Sequence, residues 1–141
     1  MAFSQEIKIG AEIGGFGNSS DSSIGVGGFF AIDPYGWMAF QADGAYGSVS
    51  GESFWYVSPA IVGYPLNYEE FKFGIIGGAG FYDQPLVATR FGLNIGATGD
   101  FNVLPNFSIG SQARYHWVFD APNMWTVFIT AAFKFEVDGG W

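Results

Sequence analysis

Hydrophobic and polar residues alternate with a period of two along nearly the whole chain, and helical periodicity is nowhere sustained. Eight alternating runs are separated by breaks rich in Gly, Pro, Asn, Asp and Ser. They predict strands at about 3–16, 23–32, 37–47, 54–64, 70–81, 88–101, 107–119 and 125–135, with residues 136–141 as a tail. The eighth run is the clearest: Trp125, Val127, Ile129, Ala131, Phe133 and Phe135 share one face, and Thr126, Thr130 and Lys134 the other. In the fourth, Pro59 removes a ladder donor, so a bulge is expected there. An even number of antiparallel strands brings both chain ends to the same side.

The side on which charge falls decides between water and membrane. All five cations, Lys8, Lys72, Arg90, Arg114 and Lys134, lie on the face opposite the apolar one. Glu6, Glu12, Asp43, Glu70 and Asp100 share that polar face, and the other acids fall in connections (Asp21, Asp33, Glu52, Glu69, Asp83, Asp120) or in the tail (Glu136, Asp138). A soluble sandwich or lipid-carrying barrel would be apolar inside and charged outside. A charge facing hydrocarbon at the middle of a bilayer costs roughly 2–4 kcal/mol, so a wide, charge-free face suits lipid. Strands of this length cross a membrane when tilted, provided that the sheet closes and leaves no edge unpaired. The pattern therefore predicts an all-β, eight-stranded antiparallel up-and-down transmembrane β-barrel.

Composition agrees. Of 141 residues, 49% are hydrophobic, 20% aromatic and only 13% charged, so many rings must face an apolar surrounding. The formal charge of −8 argues against nucleic acid. The absence of Cys excludes disulfides and thiolate chemistry. No apolar run approaches the roughly 20 residues of a membrane helix. Residues 1–6 lack the basic and apolar segments of a signal peptide, so the chain reads as a mature form behind a start Met. Tyr and Trp gather near strand ends and predict two aromatic girdles, Tyr35, Trp37, Tyr64 and Tyr68 at one rim and Tyr46, Trp55, Tyr82, Trp117 and Trp125 at the other.

Eight strands enclose a lumen just wide enough for side chains to fill. Lys8, Glu12, Asp43, Lys72, Arg90, Arg114, His116 and Lys134 are the candidates for a charged network inside it. Gly25, Gly27, Gly74, Gly78 and Gly92 would leave space for water, or make room for Phe29 and Phe128. A lone His and dispersed carboxylates do not make a metal site, and the Gly-rich stretches precede no helix that could bind phosphate. No cofactor and no catalytic residue is expected.

The alternating strands, the final run from Trp125 to Phe135 and the Gly-rich early strands together resemble the small eight-stranded outer-membrane barrels, the class of the OmpA transmembrane domain, OmpX and the opacity proteins. That resemblance implies a Gram-negative outer membrane, both termini in the periplasm, and connections near 18–22, 48–53, 82–87 and 120–123 facing outward. It implies membrane lipid and lipopolysaccharide as surroundings, with detergent in their place in crystals, and an aromatic end, Phe135 or Trp141, read during assembly. The expected role is structural or surface-interacting, in a monomer whose outer partner the sequence does not name. Two alternatives are a small ion channel or ligand conduit through the lumen, and a lipid A-modifying enzyme using His116.

Overall fold

The computed structural model describes residues 3–17, 22–34, 37–49, 52–68, 70–83, 89–119 and 123–139. Eight antiparallel strands close on themselves in sequence order: β1 (Phe3–Gly17), β2 (Ser22–Asp33), β3 (Met38–Val49), β4 (Glu52–Asn67), β5 (Phe71–Asp83), β6 (Arg90–Leu104), β7 (Phe107–Val118) and β8 (Met124–Gly139). The ladder can be followed round the whole barrel from Ile7 to Ile32, Phe40, Ile61, Gly77, Ile95, Tyr115 and Trp125. It returns to β1 at Gly17, ten residues beyond its start. A stagger of that size over eight strands implies a tilt of about 40° and a backbone radius of about 8 Å. Such a bore holds side chains and little else.

Alternation then sorts every strand. Ile9, Ile13, Val26, Phe40, Val57, Ile75, Ile95, Val127 and Ile129 point outward and are about half exposed or more. Their neighbours Lys8, Glu12, Asp43, Ser58, Asn94, Arg114, His116, Thr130 and Lys134 point inward and are buried. On β8 the outward apolar series runs from Trp125 to Phe135, and at this tilt it covers about 25 Å along the barrel axis. That equals the usual height of an outer-membrane barrel's apolar band.

Two details differ from the sequence pattern. Register is continuous through Pro59, which pairs with Ala42, and the irregularity of β4 lies between Gly63 and Leu66, at the second proline, Pro65. Pro59 stands opposite Ala79 by extension of the Val57–Phe81 and Ala60–Gly78 pairs. Ala79's carbonyl, deprived of a proline N–H, instead accepts from the Ser58 hydroxyl at 2.6 Å, so no bulge is needed. In addition, residues 136–139 continue β8 rather than trailing as a tail. They pair with the first residues of β1, Glu136 with Glu6 and Gly139 with Phe3, because β1 begins early enough to offer a free edge. Trp141 lies outside the described residues.

Candidate functional site

The lumen contents fall into layers. Near the end that carries both chain termini, three lysines converge. Lys8 Nζ reaches Asp100 on β6 at 3.0 Å. Lys72 Nζ meets Asp33 at 3.2 Å and lies 4.8 Å from the centre of the Tyr64 ring. Lys134 donates to Asn102. Register explains why these side chains reach across the bore. The β1–β8 seam places Lys8 directly opposite Lys134, and Glu6 opposite Glu136, and like charges facing each other gain nothing from their own neighbours.

Above this layer Ala39, Ala60, Val62, Tyr64 and Ile76 form a small apolar cluster. Beyond it comes the second charged layer, built around Arg114. Its Nη2 donates to Asp43 at 2.6 Å, its Nε to Gln112 at 2.8 Å, and its Nη1 to Asn94 at 3.2 Å and Ser58 at 3.3 Å. The Arg114 and Asp43 side chains are wholly excluded from solvent. Ser58 is fully used, since it donates to Ala79 and accepts from Arg114 and, at 3.0 Å, from Asn94. Tyr56 donates to the other Asp43 oxygen at 3.2 Å.

The far end is closed by rings. Phe16, Phe54, Tyr56, Tyr82, Val118, Met124 and Phe128 pack into one buried cluster with Ala45. Phe16 stacks on Phe54 at 4.8 Å between centroids, and Tyr56 on Tyr82 at 5.7 Å. Some inward glycines make room for rings, whereas Gly27 and Gly78 lie against the backbone of the neighbouring strand. A methyl group on Gly25 or Gly47 would run into the Phe16 ring, and one on Gly10 into Phe29. Rings therefore occupy the space beside Gly10, Gly25 and Gly47.

His116 sits in this cluster with none of its surface exposed. Asn94 donates to the Tyr82 oxygen at 3.2 Å, and that hydroxyl is hydrogen-bonded to His116 Nδ1 at 2.7 Å. The other ring nitrogen, Nε2, is hydrogen-bonded to Thr126 Oγ1 at 3.0 Å. Both nitrogens are engaged and the ring reaches neither lipid nor water, so the geometry gives His116 no route to a lipid substrate.

Of the eight residues singled out for the lumen, Lys8, Asp43, Lys72, Arg114, His116 and Lys134 enter these networks. Glu12 is buried beside the Arg114 layer, and its carboxyl oxygens meet no hydrogen-bond partner among the described residues. Arg90 is half-buried at the far rim, and its Nε meets no acceptor among the described residues. Among the girdle candidates, Trp37, Tyr46, Trp55, Tyr68, Trp117 and Trp125 are exposed on the outside, and Tyr35 lies outside the described residues. Tyr64 and Tyr82 are corrections. They are 8% and 0% exposed and point into the lumen, because each falls on the inward parity of its strand, where a partner awaits the hydroxyl or the ring.

Tyr56, Ser58, Asn94, Gln112 and Thr126 are network members beyond the charged residues expected from the sequence, and Asp33 belongs to a strand rather than to the expected connection. Parity alone marks the first five as inward. Asp33 is the last residue of β2 and also points inward.

No family model and no curated protein matches the chain. Solved structures do. The N-terminal β-barrel domain of Pseudomonas aeruginosa OprF superimposes with a TM-score of 0.74 at 11% identity, covering 91% of this chain and 97% of that one. Ail, the attachment invasion locus protein of Yersinia pestis, crystallised with the heparin analogue sucrose octasulfate, gives 0.64 at 18% identity over 94% and 98%. Neisserial surface protein A gives 0.62 at 14% identity over 95% and 97%. The fold is that of the small eight-stranded outer-membrane barrels. At these identities the likeness speaks for architecture, and function must be argued from the residues above.

Proposed function

We propose that this protein is an integral outer-membrane barrel with a closed, non-conducting lumen, serving a structural or surface-interaction role with no catalytic centre. The single observation that carries this reading is the sealed stack of the Arg114–Asp43 layer beneath the Phe16–Tyr82 ring cluster. An ion crossing it would have to break a buried pair and part stacked rings together. The half-exposed apolar exterior supports insertion in lipid, and the likeness to outer-membrane barrels supports that membrane. Both termini then face the periplasm and the far end faces outward. All five cations are inward, so lipid and lipopolysaccharide contact the outer wall through acyl chains rather than phosphates.

The connections and strand ends on the outward side carry Asp21, Glu52, Asp83 and Asp120, and only Arg90 as a cation near them. Unlike Ail, which was crystallised with a heparin analogue, this end is unsuited to polyanions, and immobilised heparin should not retain the folded protein. The main test is planar-bilayer recording. The refolded protein should be silent across salts and voltages, and discrete steps would overturn the closed-lumen reading. Ile129→Lys places a charge on the lipid face and should lower folding stability in vesicles by about 2–4 kcal/mol. An unchanged value would remove the membrane assignment of that face.

A further inference from the structure

β1 and β8 are the neighbouring strands that no turn joins, so no loop length fixes how they meet. In the register observed, Lys8 stands opposite Lys134 and Glu6 opposite Glu136, which sets like charge against like on the inward face. A slip of two residues in either direction would be better locally. It would set Lys8 opposite Glu136, or Glu6 opposite Lys134. Such a slip keeps the oily face outward, because side chains repeat with a period of two. Ile9, which faces Phe133, would meet Phe135 or Ala131 instead, and both are outward and apolar. The ten-residue stagger of the barrel would change by two, and eight strands close with more than one stagger. Neither alternation nor local charge therefore selects the register that forms.

The contact that does select it comes from across the bore. β6, β7 and β8 follow one another in the chain and pair in that order, so Asp100 and Asn102 on β6 hold fixed places relative to Lys134. β1 is the strand free to slide past β8. In the observed register it brings Lys8 Nζ to Asp100 at 3.0 Å, while Lys134 turns to Asn102. Asp100 has room to turn that way because its ladder partner on β7 is Gly110, where a methyl group would strike the carboxylate. Its ladder partner on β5, Lys72, is drawn off by Asp33 at 3.2 Å. A slip of two residues would carry Lys8 about 7 Å along the seam, away from the Asp100 carboxylate. Glu136 is a poorer substitute, because it is exposed and its pull is screened, whereas Asp100 is buried.

We propose that Asp100 determines the register in which the barrel closes: its pair with Lys8 selects the observed β1–β8 seam against the slipped seams that local charge favours. Fixing register is the best-attested use of a buried ionic group beyond stability. The device is built into the seam itself. Like charges make every closure that lacks the Lys8–Asp100 pair unfavourable in this register, so β1 locks only onto a barrel whose β6 is already in place. The proposal concerns which barrel forms, and it stands whether or not the lumen conducts.

The chain has no Cys, so the seam can be read by disulfide trapping in the full chain folded in lipid vesicles. Ile9→Cys is combined in turn with Phe133→Cys, Phe135→Cys and Ala131→Cys. Two cysteines bridge only when their Cα atoms lie within about 7 Å, which a directly opposed pair satisfies and a diagonal pair does not. With Asp100 present, the pair at positions 9 and 133 should cross-link. In the Asp100→Asn background, which keeps the shape and removes the charge, one of the two diagonal pairs should gain several-fold at its expense. Adding Lys8→Met and Lys134→Met removes the local preference for slipping and should restore the first pattern. An unchanged pattern in Asp100→Asn overturns the proposal, and so does a slipped pattern that persists in the triple variant. If Asp100→Asn does not fold, a triple variant that folds with the first pattern supports the proposal. A triple variant that also fails to fold overturns it, since Asp100 would then serve stability rather than register.

Discussion

The two charged layers of the lumen solve the same problem with different cations. The far layer uses one guanidinium, whose planar fork satisfies Asp43, Gln112, Asn94 and Ser58 at once while wholly out of solvent. The layer near the termini uses three ammonium groups, which reach Asp100, Asp33 and Asn102, with Lys8 and Lys72 still 9% and 12% exposed along their side chains. An arginine cannot shed its proton and offers fixed geometry, which suits a sealed site, whereas lysine stems bend and can carry their charge toward water. The far layer is therefore expected to be rigid and intolerant of change. The near layer is expected to be adaptable.

The comparison breaks first at Arg114. Arg114→Met strands Asp43 and should destabilise the barrel by roughly 3–5 kcal/mol, read as a lower urea midpoint of folding in vesicles. Arg114→Met combined with Asp43→Leu should recover most of that loss, and failure to recover would show that Arg114 acts through Ser58 and Asn94 rather than through Asp43. Next comes Ser58→Ala, which removes the acceptor for two donors and the substitute donor for Ala79. We expect about 1–3 kcal/mol in the same assay. Tyr82→Phe frees His116 Nδ1 and one Asn94 proton and should cost about 1 kcal/mol, whereas a girdle tyrosine such as Tyr46 should tolerate Phe with a smaller change. Lys72→Met sharpens the contrast from the other side. Its effect should be no more than about 1–2 kcal/mol and should shrink in high salt, while the Arg114→Met effect should not, because salt screens groups near the mouth and not those sealed within.

Much of the architecture is legible in alternation. A strand shows two faces, so period two reveals which face is oily, and the number of runs with even spacing implies closure. Depth and partnership are another matter. Tyr64 and Tyr82 sit near strand ends, where rings usually mark an interface, and position along the strand outweighed parity in assigning them to the girdles. Pro59 looked like the break in β4, yet Ser58 supplies the donor that Pro59 lacks, and only the spatial neighbour Ala79 reveals it. Asp33 read as part of a turn because Asp-Pro is turn chemistry, although β2 runs on to place it against Lys72, 39 residues away.

By itself the sequence determined inside against outside, since the penalty for a lipid-facing cation orients β1, β5, β6, β7 and β8, and the alternation of apolar with small or polar residues carries the assignment to β2, β3 and β4. Which inward groups meet was decided only by closure of the barrel. The ten-residue stagger brings Arg114 level with Asp43, 71 residues earlier, and sends Lys8 to Asp100 past the like charge beside it. That stagger is a property of the whole ring of strands, and no local run of residues contains it.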